Sequence, residues 1–347
     1  MKQTIKKNIR RINDFNYHKM HKRTALSDLK NIEVYKGKLP NHLSKKCIEY
    51  AKNIFGSKKY APWLKVYSAM AGEFKEGWIP DNYYGRIVIP KTKGLHGELS
   101  EMKTINSIIF RGEDLLDIVY YINGILFNAD YKPINESNLV EYLFNKFDKI
   151  VYKLDNSYRG RGVFVIKKEE FNWSQLKNLG NGTFQKFIVQ NPFFSHFMPN
   201  SVATLRITTT SSSSKITTRS AILKFGRSSD RHVNATSLMQ ISTDLISGEL
   251  DEYGYYLNWK RVKKHPDTKV IFKNSKIPEF NRIIKYCEDL HTKVPFISCI
   301  GWDVILDNNN KIQLIEWNSG HNGVKFAEAM IGPCFKDMGW EKLPKNN

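Results

Sequence analysis

The chain has 347 residues, 41% hydrophobic and 25% charged, with 54 Lys and Arg against 34 Asp and Glu, a formal net charge of +20. This length and apolar content exclude wholesale disorder and suit two or three packed lobes. No apolar run approaches the roughly 18 residues of a membrane span, and the basic N-terminus lacks the apolar stretch of a secretion signal, so a cytoplasmic protein is expected.

Basic residues crowd the first thirty positions (Lys2, Lys6, Lys7, Arg10, Arg11, Lys19, Lys22, Arg23, Lys30), and Ile5, Ile9 and Ile12 recur at helical spacing. A basic amphipathic helix is predicted. Its Ile stripe either packs on the body of the protein, lies on an anionic membrane surface, or serves a polyanion. No nucleic-acid-binding motif is present, so no nucleic acid is expected. ALSDLKNIEVYK and LSKKCIEYAKNIF read as further helices. GEFKEGWIPDNYYGRIVIPK reads as a loop leading into a short strand, and LSEMKTINSIIF as a helix with Ser100 as its N-cap. DIVYYINGILFN is a hairpin turned at Asn123-Gly124, followed by a short helix, NESNLVEYLFNKF. Next come strand, Gly-bearing loop and strand (KIVYKLDNSYRGRGVFVIK), another strand (GTFQKFIVQ), and an antiparallel pair turned at the Ser run (SVATLRITTTSSSSKITTRSAILKF). The last third gives loop and strand in HVNATSLMQIST, a helix in IPEFNRIIKYCEDLHTKV, and a closing hairpin, CIGWDVILDNNNKIQLIEWN. Cys47, Cys287, Cys299 and Cys334 have neither CxxC nor zinc spacing and read as core thiols.

The closing hairpin carries the sharpest chemistry. Glu316 and Asn318 are two apart on a strand and share a face. With the turn at 308–309, Asp303 falls opposite position 314, diagonal to Glu316. Three hard oxygen donors then converge, which suits Mg²⁺; the alternative is a strand that runs out into a polar turn. Lys153, followed by Tyr158-Arg159-Gly160-Arg161-Gly162-Val163, offers a point charge and a close-approaching backbone for phosphates, though a plain hairpin reads the same way. QKFIVQN could offer its backbone to an adenine ring, with Lys186 and Ile188 at the hinge. Arg206 lies mid-strand among apolar residues, where it needs a carboxylate partner or an anionic ligand.

This order of parts resembles the ATP-grasp superfamily, and most closely its sugar-transfer-associated branch. GEFKEGWIPDNYY, NSVATLRITT, HVNATSLMQISTDLISGEL, HPDTKVIF, IPEF and GWDVILDNNNKIQLIEWN carry the resemblance, over roughly residues 70 to 330. It implies an α+β ATP-grasp fold, two lobes gripping ATP, after a helical N-terminal region. The expected segments are 1–60 (basic helices), 61–150 (N-terminal lobe), 151–190 (small nucleotide-gripping lobe) and 191–347 (catalytic core). By resemblance, Lys153 and Lys103 contact nucleotide phosphates, and Gly160, Arg161 and Gly162 form the phosphate loop. Gln185, Lys186 and Ile188 form the adenine hinge, Asp303, Glu316 and Asn318 hold two Mg²⁺ ions, and Arg206 steadies the transferred group. Asn234 matches a polar position in a segment that lacks the family's Gly pair. His321, in WNSGHNG, reads as a substrate contact or a surface histidine.

The implied activity is an ATP- and Mg²⁺-dependent carboxylate–amine ligase working through an acyl phosphate. Its acceptor would be an amine-bearing sugar or amino acid, in surface-polysaccharide biosynthesis. Phosphorylation of a sugar or polyol hydroxyl is the alternative within enzymes, and a non-catalytic nucleotide- or glycan-associated module the alternative outside them.

Overall fold

The opening helix, α1 (Lys2–Lys36), runs unbroken for 35 residues, so the first two predicted helices are one. The structure is a computed structural model that describes residues 2–157, 162–213, 215–226 and 238–343, with side chains from residue 8. His18, Ala25, Asp28 and Ile32 of α1 are buried, and their spacing places them on one side of the helix. Ile9, Ile12, Phe15 and Met20 are 53%, 59%, 66% and 55% exposed. Of the three readings open to the Ile stripe, packing on the body is not met by Ile9 and Ile12; the inward face is the mixed one around His18 and Asp28.

The chain divides into two units. The first comprises Met1–Thr92, Tyr255–Arg261 and His321–Asn347. Here α3 (Ala61–Ala71) packs against both α1 and α2 (Asn41–Asn53), and Phe55, Tyr60, Trp63, Tyr67, Trp78 and Tyr83 form a buried aromatic core. GWIPDNYYGRIVIPK is helical where a strand was expected: a turn at Asp81–Tyr83, a π-turn at Tyr84–Val88 and a helical turn at Ile89–Lys93. The helical path satisfies the segment's backbone internally while Ile87 and Val88 enter the core.

The second unit, Lys93–Gly254 and Val262–Gly320, holds two antiparallel sheets. The first runs β2-β1-β5-β3-β4, built from β1 (Asp117–Ile122), β2 (Ile125–Asn128), β3 (Lys149–Leu154), β4 (Val163–Lys167) and β5 (Gly182–Lys186). Asn123 and Gly124, both at positive φ, make the predicted hairpin turn. In the second sheet five strands lie in the order β8-β7-β6-β9-β10: β6 (Thr204–Ser212), β7 (Lys215–Phe225), β8 (Met239–Thr243), β9 (Cys299–Leu306) and β10 (Ile312–Asn318).

Period-two alternation gives this second sheet two unlike faces. Leu205, Ile207, Leu223, Ile241, Trp302, Val304 and Trp317 form one core with Phe280, Ile283, Cys287 and Leu290 of α4 (Phe280–Thr292). The intervening residues, Arg206, Thr208, Ser220, Lys224, Asp303, Glu316 and Asn318, make the other face polar.

Register in the closing hairpin differs from expectation. Leu306 pairs with Ile312 and Val304 with Leu314, but Asp303 lies directly opposite Glu316, and Gly301 opposite Asn318. Ile315 is the extra residue of a β-bulge. Continued without it, the ladder would set Asp303 against Ile315 and turn Glu316 to the apolar face.

Candidate functional site

Asp303 is the centre of the polar face. Its neighbour on β6 is Arg206, whose Nε and Nη2 donate to Oδ1 and Oδ2 at 2.6 and 2.5 Å. Lys224 Nζ lies 3.7 Å from Oδ1. Burial alone would raise the Asp303 carboxyl, but Arg206 and Lys224 outweigh it and hold the group below its ordinary range. Lys224 is pushed down to about 8 by burial and by Arg206 beside it. In this state Arg206 is the bidentate partner of Asp303, one of the two roles open to it from sequence. Asn318, on the face of Glu316, has a buried Nδ2 with no hydrogen-bond partner among the described residues.

Cations approach from the first sheet and its preceding loop. Lys153, on β3, donates from Nζ to the carbonyl of the bulge residue Ile315 at 3.1 Å. Its ammonium is lowered by burial, which outweighs the opposing pull of Glu316 and Asp117. Lys103 Nζ lies 3.8 Å from Glu316 Oε1 and donates to Ser157 O at 3.4 Å. The predicted helix around Lys103 is instead two 3₁₀ turns, His96–Glu101 and Lys103–Ile105, then one α-turn. Ser100 is not an N-cap; it lies inside the first turn and donates back to Gly97 O at 2.8 Å. Asp155 does the capping, accepting from Lys103 N at 2.6 Å and Thr104 N at 3.0 Å.

Gly162 has φ +75°, and a Cβ there would lie 2.9 Å from Ser157 Cβ, so the base of the loop demands glycine. Gly160, Arg161 and Asn234 lie outside the described residues. Gln185 Nε2 donates to Asp117 Oδ1 at 2.8 Å, as does Thr183 Oγ1 at 3.0 Å. Burial raises the Asp117 carboxyl. Lys186 Nζ points to the exposed Asp114, 3.6 Å away, and Ile188 packs on the core of the second sheet. Phe187–Val189 leave the strand, and among the described residues no backbone partner is found for the amide or carbonyl of Ile188. A short segment with free backbone groups can pair with a planar heterocycle.

Four cations (Arg206, Lys224, Lys153, Lys103) thus surround two carboxylates, an excess that suits a polyanion. Among the described residues no group of three or more His, Cys, Asp or Glu could hold a metal. Two carboxylates and a carboxamide still fit Mg²⁺, which takes one or two protein carboxylates and completes its shell with phosphate oxygens and water.

In the first unit, His321 Nε2 lies 3.1 Å from Oδ1 of the buried Asp81, with its ring edge-on to Tyr84. Sequence reasoning missed Lys224, Asp117 and Asp155. Lys224 left one signal, a lysine interrupting the apolar alternation of SAILKF; the two aspartates, at a strand start and in a turn, left none.

Residues 173–335 match the sugar-transfer associated ATP-grasp family. The ATP-grasp match takes in Gln185, Lys186, Ile188, Arg206, Asp303, Glu316 and Asn318; Lys103, Lys153 and Gly162 precede it. The α+β fold and the helical N-terminal region stand as expected. The fold is similar to that of several solved enzyme structures. They include N5-carboxyaminoimidazole synthetase of Staphylococcus aureus with ADP (10% identity, 74% of this chain and 51% of that one, TM-score 0.37), an L-amino acid ligase of Bacillus licheniformis (10%, 81% and 54%, 0.36), and the biotin carboxylase domain of Hydrogenobacter thermophilus 2-oxoglutarate carboxylase with MgADP and bicarbonate (13%, 68% and 46%, 0.39). The chain spans about half the length of these structures, and likeness at these TM-scores carries no functional weight. No curated protein matches the chain significantly.

Proposed function

We propose that the protein is an ATP- and Mg²⁺-dependent ligase that joins a carboxylate to an amine through an acyl phosphate, in sugar-conjugate biosynthesis. The observation that carries this reading is the row Arg206–Asp303–Glu316, faced by Lys153 and Lys103. Asp303, Glu316 and Asn318 would hold the metal. Bound there, Mg²⁺ would neutralise phosphate charge and fix its geometry.

The chain's own residues do the rest. Lys153 and Lys103 offset charge on the phosphates. Arg206, released from or shared with Asp303, steadies the transferring group. The segment around Ile188 takes the adenine edge, and the glycine loop ending at Gly162 covers the phosphates and excludes water. The segments 61–150, 151–190 and 191–347 are proposed as N-terminal lobe, small nucleotide-gripping lobe and catalytic core.

Calorimetric titration of ATP with and without Mg²⁺, on wild type and Glu316→Ala, tests the reading. Mg²⁺-dependent binding, weakened in the variant, supports it; equal binding in all four cases, or none, sinks it. Phosphate retained on the product instead of released would replace the ligase with a phosphotransferase.

The outward face of α1 supports peripheral attachment to an anionic membrane. Exposed Ile9, Ile12, Phe15 and Met20 are interleaved with exposed Arg10, Arg11, Lys19, Lys22 and Arg23. No described helix is long and apolar enough to cross a membrane. Binding to phosphatidylserine vesicles, lost in Ile9→Asp/Ile12→Asp, is the expected result; unchanged binding refutes it.

A further inference from the structure

Lys103 carries an ammonium that its own surroundings engage only weakly. The residue is 6% exposed. Among the described residues its Nζ donates only to Ser157 O, at 3.4 Å, longer than an ordinary N–H···O bond, and it lies 3.8 Å from Glu316 Oε1. An ammonium has three donors. Contacts this long do not fix where a flexible four-carbon stem ends, so the placement has to come from the backbone.

That backbone is held from two sides. On one side stands Asp155, the residue after β3, the strand of Lys153. Its Oδ1 accepts from Lys103 N at 2.6 Å and from Thr104 N at 3.0 Å, and its Oδ2 accepts from Thr104 Oγ1 at 2.7 Å. Both carboxylate oxygens are used, and short bonds to an ionised acceptor are the strong ones. The next residue, Asn156, donates from its backbone N to Glu101 O at 2.8 Å. On the other side stands Ser319, the residue after β10, the strand of Glu316 and Asn318. Its Oγ donates to Gly97 O at 2.6 Å and its N–H to Ser100 Oγ at 3.3 Å. The turns His96–Glu101 and Lys103–Ile105 therefore hang between the strand of Lys153 and the strand of the proposed metal ligands. Of the two anchors, Asp155 is the one that bonds Lys103 itself.

We infer that Asp155 is a positioning residue for the proposed nucleotide reaction: by fixing the backbone of Lys103 it sets where that ammonium meets the phosphates. A contact group acts at full strength only when a supporting shell holds it in place. The inference rests on the reading of Lys103 as a phosphate contact and deepens it, by naming the group that gives Lys103 its place.

A double-variant cycle on the full chain, read by calorimetric titration of Mg²⁺·ATP, tests this. Asp155→Ala should weaken binding about tenfold, the scale of one misplaced charge-assisted contact, and Lys103→Met by at least as much. Combined, the two should cost no more than Lys103→Met alone, because Asp155 acts through Lys103. Asp155→Asn, which keeps one oxygen for the two amides, should lose less than Asp155→Ala. A cap that serves only the fold predicts additive losses instead. Additive losses, or wild-type affinity in Asp155→Ala, overturn the inference. So does a loss in Asp155→Ala with none in Lys103→Met. Should Asp155→Ala not fold, Asp155→Asn carries the same cycle, and wild-type affinity in it then overturns the inference. Absence of Mg²⁺·ATP binding by wild type would instead remove the underlying reading, and the inference with it.

Discussion

Asp303 and Glu328 are both buried carboxyl groups, one in each unit, and they are handled in opposite ways. Asp303 faces Arg206 and Lys224 and stays ionised. Glu328, 0% exposed, has no cation partner among the described residues: Ile79 N donates to its Oε2 at 2.7 Å, and burial drives its carboxyl well above the ordinary value. Burial favours the neutral form of Glu328, whose one satisfied oxygen, Oε2, accepts from the Ile79 amide. An ionised Asp303 with two cations keeps a strong local field, which stability alone does not require, since an apolar replacement of a buried ion pair is often neutral or better. The contrast sets an ionised carboxyl that the proposed chemistry would use against a neutral one without a counter-charge.

The largest effect is expected where the counter-charge is removed. Arg206→Ala should cost about 3 kcal/mol by leaving Asp303 buried beside Lys224 alone. Arg206→Met with Asp303→Leu should recover most of that stability in urea denaturation and still fail to bind Mg²⁺·ATP. If the double variant stays as unstable as the single one, the pair serves the fold and the contrast collapses. Glu316→Ala sharpens the same point. Its side chain is 34% exposed, so stability should move by less than about 1 kcal/mol, while ATP turnover falls at least ~100-fold if the group holds the metal.

How much of this was legible in the sequence depends on which force decides each feature. Alternation revealed the strands, the Asn123-Gly124 turn and the sharing of a face by Glu316 and Asn318, because side-chain period and turn chemistry are local. The pairing of Asp303 with Glu316 was not legible: it depends on loop length and on one bulged residue, Ile315. The same holds for Asp155, which caps Lys103 and Thr104 from 52 and 51 residues away. The helical path of Tyr84–Val88 escaped because β-branched residues in RIVI favour a strand locally, and tertiary packing overrode that preference.

The Glu328 half of the contrast is tested by pH. In the unfolded chain its carboxyl ionises at the ordinary value; in the folded chain it stays protonated well above that. Between the two values folding takes up a proton, so this group's contribution to stability falls as pH rises, by up to about 1.4 kcal/mol per pH unit. Glu328→Gln should melt with a flatter pH dependence than wild type as pH rises above the ordinary carboxyl range. Parallel curves would mean that Glu328 is ionised when folded, and the two carboxyls would no longer differ in kind.

The smallest effect is expected at Lys186. Its ammonium reaches only the exposed Asp114, at 3.6 Å, a solvent-screened pair worth well under about 1 kcal/mol. If charge matters only where it is buried and matched, as at Asp303, then Lys186→Ala leaves ATP affinity within about twofold, because a hinge segment recognises a heterocycle through backbone groups rather than side chains. A tenfold loss, about 1.4 kcal/mol, would show that Lys186 turns inward when nucleotide binds. It would then join Lys153 and Lys103 as a third cation proposed to meet the phosphates from the first sheet and its loop.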